Sequence, residues 1–439
     1  MTVKVSATGD SMLLKTFPEG YPWQDIAAQI ADCDVRLTNL EEVLSEWDCC
    51  ASTYCGGQWI NARPEVLPDL RRYGFNLFSC ANNHAMDYSY DGIASTMRAL
   101  REAGVPFAGI GESLDAAGAP AWFTTAEGAR VAMVSATSTF IDAARAGNAR
   151  ETIPARAGIN PLRVKTKYLV TSEHLEALRE IAQGTAINGE RDNARKIGSL
   201  PPEVAGSLNF GGHFFVESPD GTEGKVTSCD KRDLDRIVDE VRRAAQEADL
   251  VLVSIHSHQI RRTSYREPDL FLEEFAHACI DAGAHAVIGG GTHQLKPIEI
   301  YRGKPVFYSL GNFIFQSGMI PKLPADYWDK YNFDPSLSVP EAQAIKTKGG
   351  TIGLETDRDN YLSVLPSMTF DDAGELVSLE LVPIELGFGR ERAFKGLPVL
   401  AGEDDAQLIC DRLAQMSEPY GTVVSRAGGR MHVEVKARG

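Results

Sequence analysis

The chain has 439 residues, 60 of them acidic and 44 basic, for a net charge of −16. That balance, with no Lys/Arg-rich run, leaves no footprint for gripping a phosphate backbone, so nucleic acid is not an expected partner. The start, MTVKVSATGD, runs straight into alternating apolar residues without a signal-peptide h-region, and no later run reaches membrane-spanning length. The expectation is a cytoplasmic protein without a membrane anchor.

In chain order, Val3–Thr8 reads as a strand, Trp23–Asp32 as a helix and Val35–Asn39 as a strand. A helix at Pro64–Tyr73, a strand at Phe75–Ser79 and a helix at Gly92–Ala103 follow, then short strands near Pro106–Ala108 and at Val131–Ala136. The rhythm resumes with a helix at Asp233–Glu247, a nearly all-apolar strand at Leu250–Ile255, a helix at Asp269–Ala282, and strands at Ala286–Gly289 and Val306–Leu310. Apolar strands separated by amphipathic helices are expected to form an α/β protein with covered sheets.

Residues 141–228, rich in Pro and Gly with one plausible helix at Ser172–Ala182, read as an insertion into a main domain spanning 1–348. Residues 321–340 (PKLPADYWDKYNFDP at their start) have the composition of an ordered loop, a possible lid. From 349 to 439 the pattern is β-rich, with a hairpin signal at Asp371–Gly374 and a small helix–strand appendage at the end, packed on the main domain.

Eight cysteines are too sparse for a disulfide scaffold in a chain of this length. Cys33, Cys80, Cys229, Cys279 and Cys410 have core-like neighbours, and Cys49, Cys50 and Cys55 lack a second CxxC-type pair, so all read as reduced thiols.

The chemistry collects at strand ends. Gly9-Asp10, Asn39-Leu40-Glu41, Asn82-Asn83-His84 with Asp87, His256-Ser257-His258, and Gly289-Gly290-Gly291-Thr292-His293 each follow a strand. In open α/β sheets ligands bind outside the carboxyl ends of strands, so five polar clusters converge on one place. Carboxylate, amide oxygen and imidazole together are the donor set for a divalent metal.

Three stretches carry a family resemblance: GD followed by NLE; ANNHAMDYSYDGIASTMRALREAGVPFAGIGESLDAAGAP; and GGGTHQLKPIEIYRGKPVFYSLGNFIF. They resemble the CapA-like proteins, named for poly-γ-glutamate capsule synthesis, of the calcineurin-like metallophosphoesterase superfamily. The resemblance covers about 3–140 and 235–316. It implies a four-layer α/β/β/α sandwich with a metal centre at one edge. It also places Asp10, Glu41, Asn83 and His256 as metal ligands and His84 as the catalytic acid oriented by Asp87, and matches His293 to a histidine of the last motif.

This sequence departs from the binuclear pattern at Met12, where a histidine is expected, and at Gly291 and Leu295, which flank His293 where a second histidine is expected. With those imidazoles missing, the cofactor expected is Mn²⁺, Mg²⁺ or Ca²⁺ rather than a complete two-zinc site.

The function expected first is a metal-dependent hydrolase of a phosphoester or amide bond in a small polar or peptidic substrate, using metal-activated water with His84 as acid/base. One alternative is a peptide epimerase with His84/Asp87 and Asp10/His293 as two acid–base pairs on either side of a Cα. The other is a non-catalytic accessory protein of envelope polyglutamate or capsule biogenesis. Candidates for holding substrate are Asn39, His258, Arg261 and Arg262, with Arg266 beside them, and the aromatics Tyr327, Trp328, Tyr331 and Phe333 of the possible lid.

Overall fold

A computed structural model describes residues 2–435; Met1 and 436–439, the extreme ends of the two expected domains, lie outside the described residues. The fold is mixed α/β with two large sheets. The first has ten strands, ordered Val424–Ala427, Arg430–Val433, Leu376–Glu385, Leu362–Phe370, Val3–Met12, Val35–Leu40, Leu77–Ser79 and Phe107–Ala108, with Asn312–Phe315 and Val399–Leu400 joining beside this path. The second has six: Ile298–Tyr301, Lys304–Phe307, Ala286–Gly291, Leu250–Ser257, Arg130–Thr137 and Ala121–Thr124.

The sequence dictates how each sheet is covered. Val3, Val5 and Ala7 alternate onto one face of the first sheet, and Val131, Met133, Leu250, Leu252, Ala286 and Ile288 onto one face of the second; all belong to one apolar cluster, so these faces pack together. The intervening residues Ala132, Val134, Val251, Val253 and Val287 point the other way, onto helices Lys231–Ala245 and Leu270–Asp281 through Ile237, Val241, Phe271 and Phe275. On the outer face of the first sheet, Leu40 and Phe78 join Leu70 of helix Leu67–Arg72 and Ile93, Met97 and Leu100 of helix Ser89–Glu102.

Two strand pairings position the chemistry. Val3–Met12 and Val35–Leu40 run parallel with Asp10 opposite Asn39, and Asn312–Phe315 runs parallel to the end of Val3–Met12 with Asn312 opposite Asp10. This second pairing carries the first strand four residues beyond its expected end at Thr8.

Several expectations need correction. The 141–228 segment, in which one helix is expected, also contains a second helix, Gly189–Lys196, and a four-stranded sheet ordered Ser207–Phe210, His213–Glu217, Val164–Val170 and Gly224–Cys229. The ordered loop expected at 321–340 is helical over Ala325–Tyr331, ending at Asn332 in the left-handed region. A further helix, Val339–Lys346, opens with a capping box of Ser338 and Glu341. Helical spacing lines up Tyr327 and Tyr331, which with Trp328 and Phe333 pack on Trp47, Trp59 and Tyr88, and that contact outweighs the loop-like composition. The hairpin at Asp371–Gly374 is present, and its first strand pairs antiparallel with Val3–Met12 inside the large sheet. All eight cysteines are free. Among the described residues no helix is long and apolar enough to cross a membrane.

Candidate metal centre

Asp10, Asn39, Glu41, Asn82, Asn83, His84, His256, His258 and His293 all lie in or just after the parallel strands Val3–Met12, Val35–Leu40, Leu77–Ser79, Leu250–Ser257 and Ala286–Gly291. Asp10 is fully buried, its Oδ1 accepting from Asn39 Nδ2 at 2.7 Å and its Oδ2 from the Gly291 amide at 2.8 Å. Burial opposes its charge, but His256, His293 and Asn39 outweigh that and hold the carboxyl below its ordinary range. Gly290 is required here, since a Cβ on it would stand 2.5 Å from Asp10 Oδ1.

His256 Nε2 lies 2.6 Å from Asn83 Oδ1, 3.1 Å from His258 Nε2 and 3.4 Å from Glu41 Oε1. Asn83 Nδ2 donates to Gly56 O at 2.9 Å, which turns Oδ1 inward. Two imidazole nitrogens, an amide oxygen and a carboxylate oxygen thus crowd one point, the arrangement of ligands around a cation.

Glu41 is the unusual member. It is fully buried, and neither carboxylate oxygen has a hydrogen-bond partner, although an isolated buried carboxylate is among the costliest groups a protein can hold. Burial first, then Asp10, Asp87 and Glu42, push its carboxyl well above the ordinary range. It belongs to two groups whose donor atoms all lie within 4.8 Å of one another: Glu41, His256 and His258; and Asp10, Glu41 and His293. The residues therefore fit a divalent metal, with Glu41 at the junction of two donor sets.

Beside the donors sits the pair His84 and Asp87. Their Nδ1 and Oδ2 are 2.6 Å apart, and Asp87 also accepts from the Gly56 amide at 2.9 Å and the Ile60 amide at 2.8 Å. Burial raises the Asp87 carboxyl, and His84 with the two amides only partly offset this. Asn82 fixes the turn, donating to Leu40 O at 2.7 Å and accepting from the His84 amide at 3.1 Å.

His293 adopts φ 62°, a left-handed conformation enforced by the turn after Gly291, and its Nδ1 lies 2.9 Å from Asn312 Oδ1. Burial lowers its pKa, and lowers that of His258 further, with His256 and His293 adding to the effect there. In both, burial thus favours the neutral ring, the form that can bind a metal. His258, expected to hold substrate, falls in a candidate donor group; the motif reading contained Asn312 but gave it no role, and supplied no signal for Gly56 or Ile60.

The arginines form ion pairs. Arg261 pairs with Glu273 at 3.5 Å, Arg262 with Glu267 at 3.6 Å, and Arg266 with Asp359. Trp328, Tyr331 and Phe333 belong with Tyr327 to the apolar cluster that covers loop 47–59, the loop whose Gly56 supports both Asn83 and Asp87.

The profile of a family described as "Bacterial capsule synthesis protein PGA_cap" matches residues 4–317. An uncharacterized protein of Sinorhizobium fredii is 33% identical over 431 residues, spanning 95% of this chain and 90% of the relative. A probable polyglutamine synthesis accessory protein of Mycobacterium tuberculosis is 22% identical over 424 residues, spanning 94% and 81%. The capsule biosynthesis protein CapA of Bacillus anthracis is 24% identical over 260 residues, spanning 59% and 44%.

Proposed function

The chain belongs to the bacterial capsule synthesis protein family, and from that premise we propose that it is a metal-dependent hydrolase of an amide or phosphoester bond in a small polar or peptidic substrate. The observation that carries this reading is Glu41, a fully buried carboxylate whose oxygens have no hydrogen-bond partner, at the junction of two candidate donor sets. A divalent cation held there supplies Lewis acidity and makes water a nucleophile near neutral pH. The chain's own residues orient and move protons. Asp87 holds His84 in one tautomer, and His84 presents its other nitrogen to the leaving group as general acid.

Three imidazoles among the donors, His256, His258 and His293, favour Mn²⁺ over Mg²⁺ or Ca²⁺. The two sheets packed face to face with helices outside are read as the four-layer α/β/β/α arrangement of metallophosphoesterases. Helices 325–331 and 339–346 are read as the lid. The names of the M. tuberculosis and B. anthracis relatives, which refer to polyglutamine and capsule biosynthesis, favour the amide.

Hydrolysis is preferred to epimerisation because Asp10 and His293 sit with Glu41 as donors. Asp10 is bonded to Asn39 and Gly291 and His293 to Asn312, rather than the two forming an acid–base pair with each other. The test is reaction of the manganese-loaded chain with glutamyl dipeptides and with bis(p-nitrophenyl) phosphate in D₂O, read by mass spectrometry. Cleavage without Cα exchange is expected, and the bond cleaved names the substrate. Deuterium at Cα with every bond intact would replace hydrolysis by epimerisation, and a metal-loaded chain inert to both probes would sink the hydrolase reading.

A further inference from the structure

A cavity of about 450 Å³ lies on the His293 side of the centre, lined among others by Phe315, Tyr361, Glu355, Arg390, Arg392 and Lys395. One of its lining side chains also contacts a candidate donor: the Phe315 ring centre lies 5.4 Å from that of His293 and 5.5 Å from that of Tyr361. Three cations against one carboxylate is a local reversal in a chain of net charge −16.

The cations are also fixed to the catalytic framework. Phe315 N donates to Gly396 O at 2.8 Å, and a Cβ on Gly396, whose φ is +87°, would collide with Phe315 O. The loop bearing Arg390, Arg392 and Lys395 is therefore stapled to strand Asn312–Phe315, the strand that supports His293 and pairs with Asp10–Met12.

Each cation keeps donors for a ligand. Arg392 gives one hydrogen bond to Gly318 O at 2.9 Å, Lys395 gives one to Glu355 O at 3.2 Å, and Arg390 lies 3.8 Å from Glu385. An arginine has five donors and a lysine three. Lys395 Nζ sits 5.2 Å from the Tyr361 ring centre and 5.5 Å from Phe388, which holds its charge in place along the wall. Glu355 is tied to Ser317 at 3.2 Å.

We propose that this cavity is an anion-recognition subsite, holding a carboxylate or phosphate of the same molecule whose scissile bond lies at the metal centre. The proposal rests on the hydrolase reading for its link to turnover. Its cations lie outside residues 4–317, the span matched by the family profile.

The test titrates glutarate and inorganic phosphate separately into the metal-free full chain by calorimetry, so that a failure of the metal reading leaves this readout intact. One anion is expected to bind, and its identity distinguishes carboxylate from phosphate. Arg392→Gln with Lys395→Met should weaken binding by about tenfold or more, as expected for loss of charge-assisted bonds. Arg390→Gln, at a half-exposed side chain, should weaken it less without touching the fold. Arg130→Gln, at an exposed pair with Glu247, should change nothing. In a turnover assay the binding anion should raise KM and leave kcat unchanged. Absence of binding by both anions, or binding that survives both the double variant and Arg390→Gln, would overturn the proposal.

Discussion

His84 Nδ1 stands 2.6 Å from an Asp87 oxygen that the Ile60 amide also holds, while the other Asp87 oxygen is held by Gly56. The carboxylate is thus fixed by backbone before it fixes the imidazole. Asp87→Asn removes the acceptor that sets the His84 tautomer and is expected to lower kcat by about a hundredfold. Metal content by elemental analysis should stay at the wild-type level, because neither residue belongs to a donor group. Unchanged kcat would remove His84 from the reaction.

Glu41→Gln should act with opposite signs in the two states. Without metal, the folded-state pKa of Glu41 is raised, so its contribution to stability is full below the unfolded value and is lost as pH rises through the folded one. The metal-free variant is therefore expected to be more stable than the metal-free wild type at pH 8, by about 1–3 kcal/mol in urea unfolding. Added Mn²⁺ should raise the Tm of the wild type and leave that of the variant nearly unmoved. A variant less stable than wild type without metal would show that Glu41 has a structural partner.

Gly290→Ala places a Cβ 2.5 Å from Asp10 Oδ1, the movable end of a side chain rather than backbone. The carboxylate should swing away, lowering metal affinity by roughly tenfold to a hundredfold with little change in metal-free stability. Competition for the metal with a chelator of known affinity reads the effect. Wild-type affinity would mean that Asp10 is not a ligand.

His285 offers a pH test away from the centre. The Val251 amide donates to its Nδ1 at 3.0 Å, so the folded state needs the neutral ring; burial first, then Lys304, lowers its pKa to about 4. A depressed folded pKa gives stability that is present above the unfolded value near 6.5 and is lost as pH falls towards 4. Between those values the wild type should lose about 2–3 kcal/mol relative to His285→Asn in urea melts, and parallel curves would refute the assignment.

The gathering of polar residues at strand ends was legible because each polar group ends an apolar run, and the His84–Asp87 contact because the two stand three residues apart in one turn. What sequence does not display is support from backbone. The Gly56 and Ile60 amides hold Asp87, and neither residue type advertises a donor. The sheet within 141–228 was hidden for another reason. In strand Val164–Val170 three successive residues, Lys165, Thr166 and Lys167, are exposed, so no buried face imposes a period of two. Helix Ala325–Tyr331 was hidden by the prolines that flank it, Pro321, Pro324 and Pro335, and by its aromatics, whose packing on Trp47 and Trp59 belongs to tertiary structure.

The place of the first strand has a consequence for how the protein is made. Val3–Met12 lies between Val35–Leu40 and Leu362–Phe370, with Asn312 opposite Asp10. On the ribosome, Asp10 emerges some three hundred residues before Asn312, its neighbour on one side, and the strand Leu362–Phe370 follows later still. The strand that carries Asp10 is therefore completed on both sides only after residues 312–315 and 362–370 have been translated. Closing so distant a contact is slow, and the candidate donor group of Asp10, Glu41 and His293 is assembled around the completed strand only after that closure.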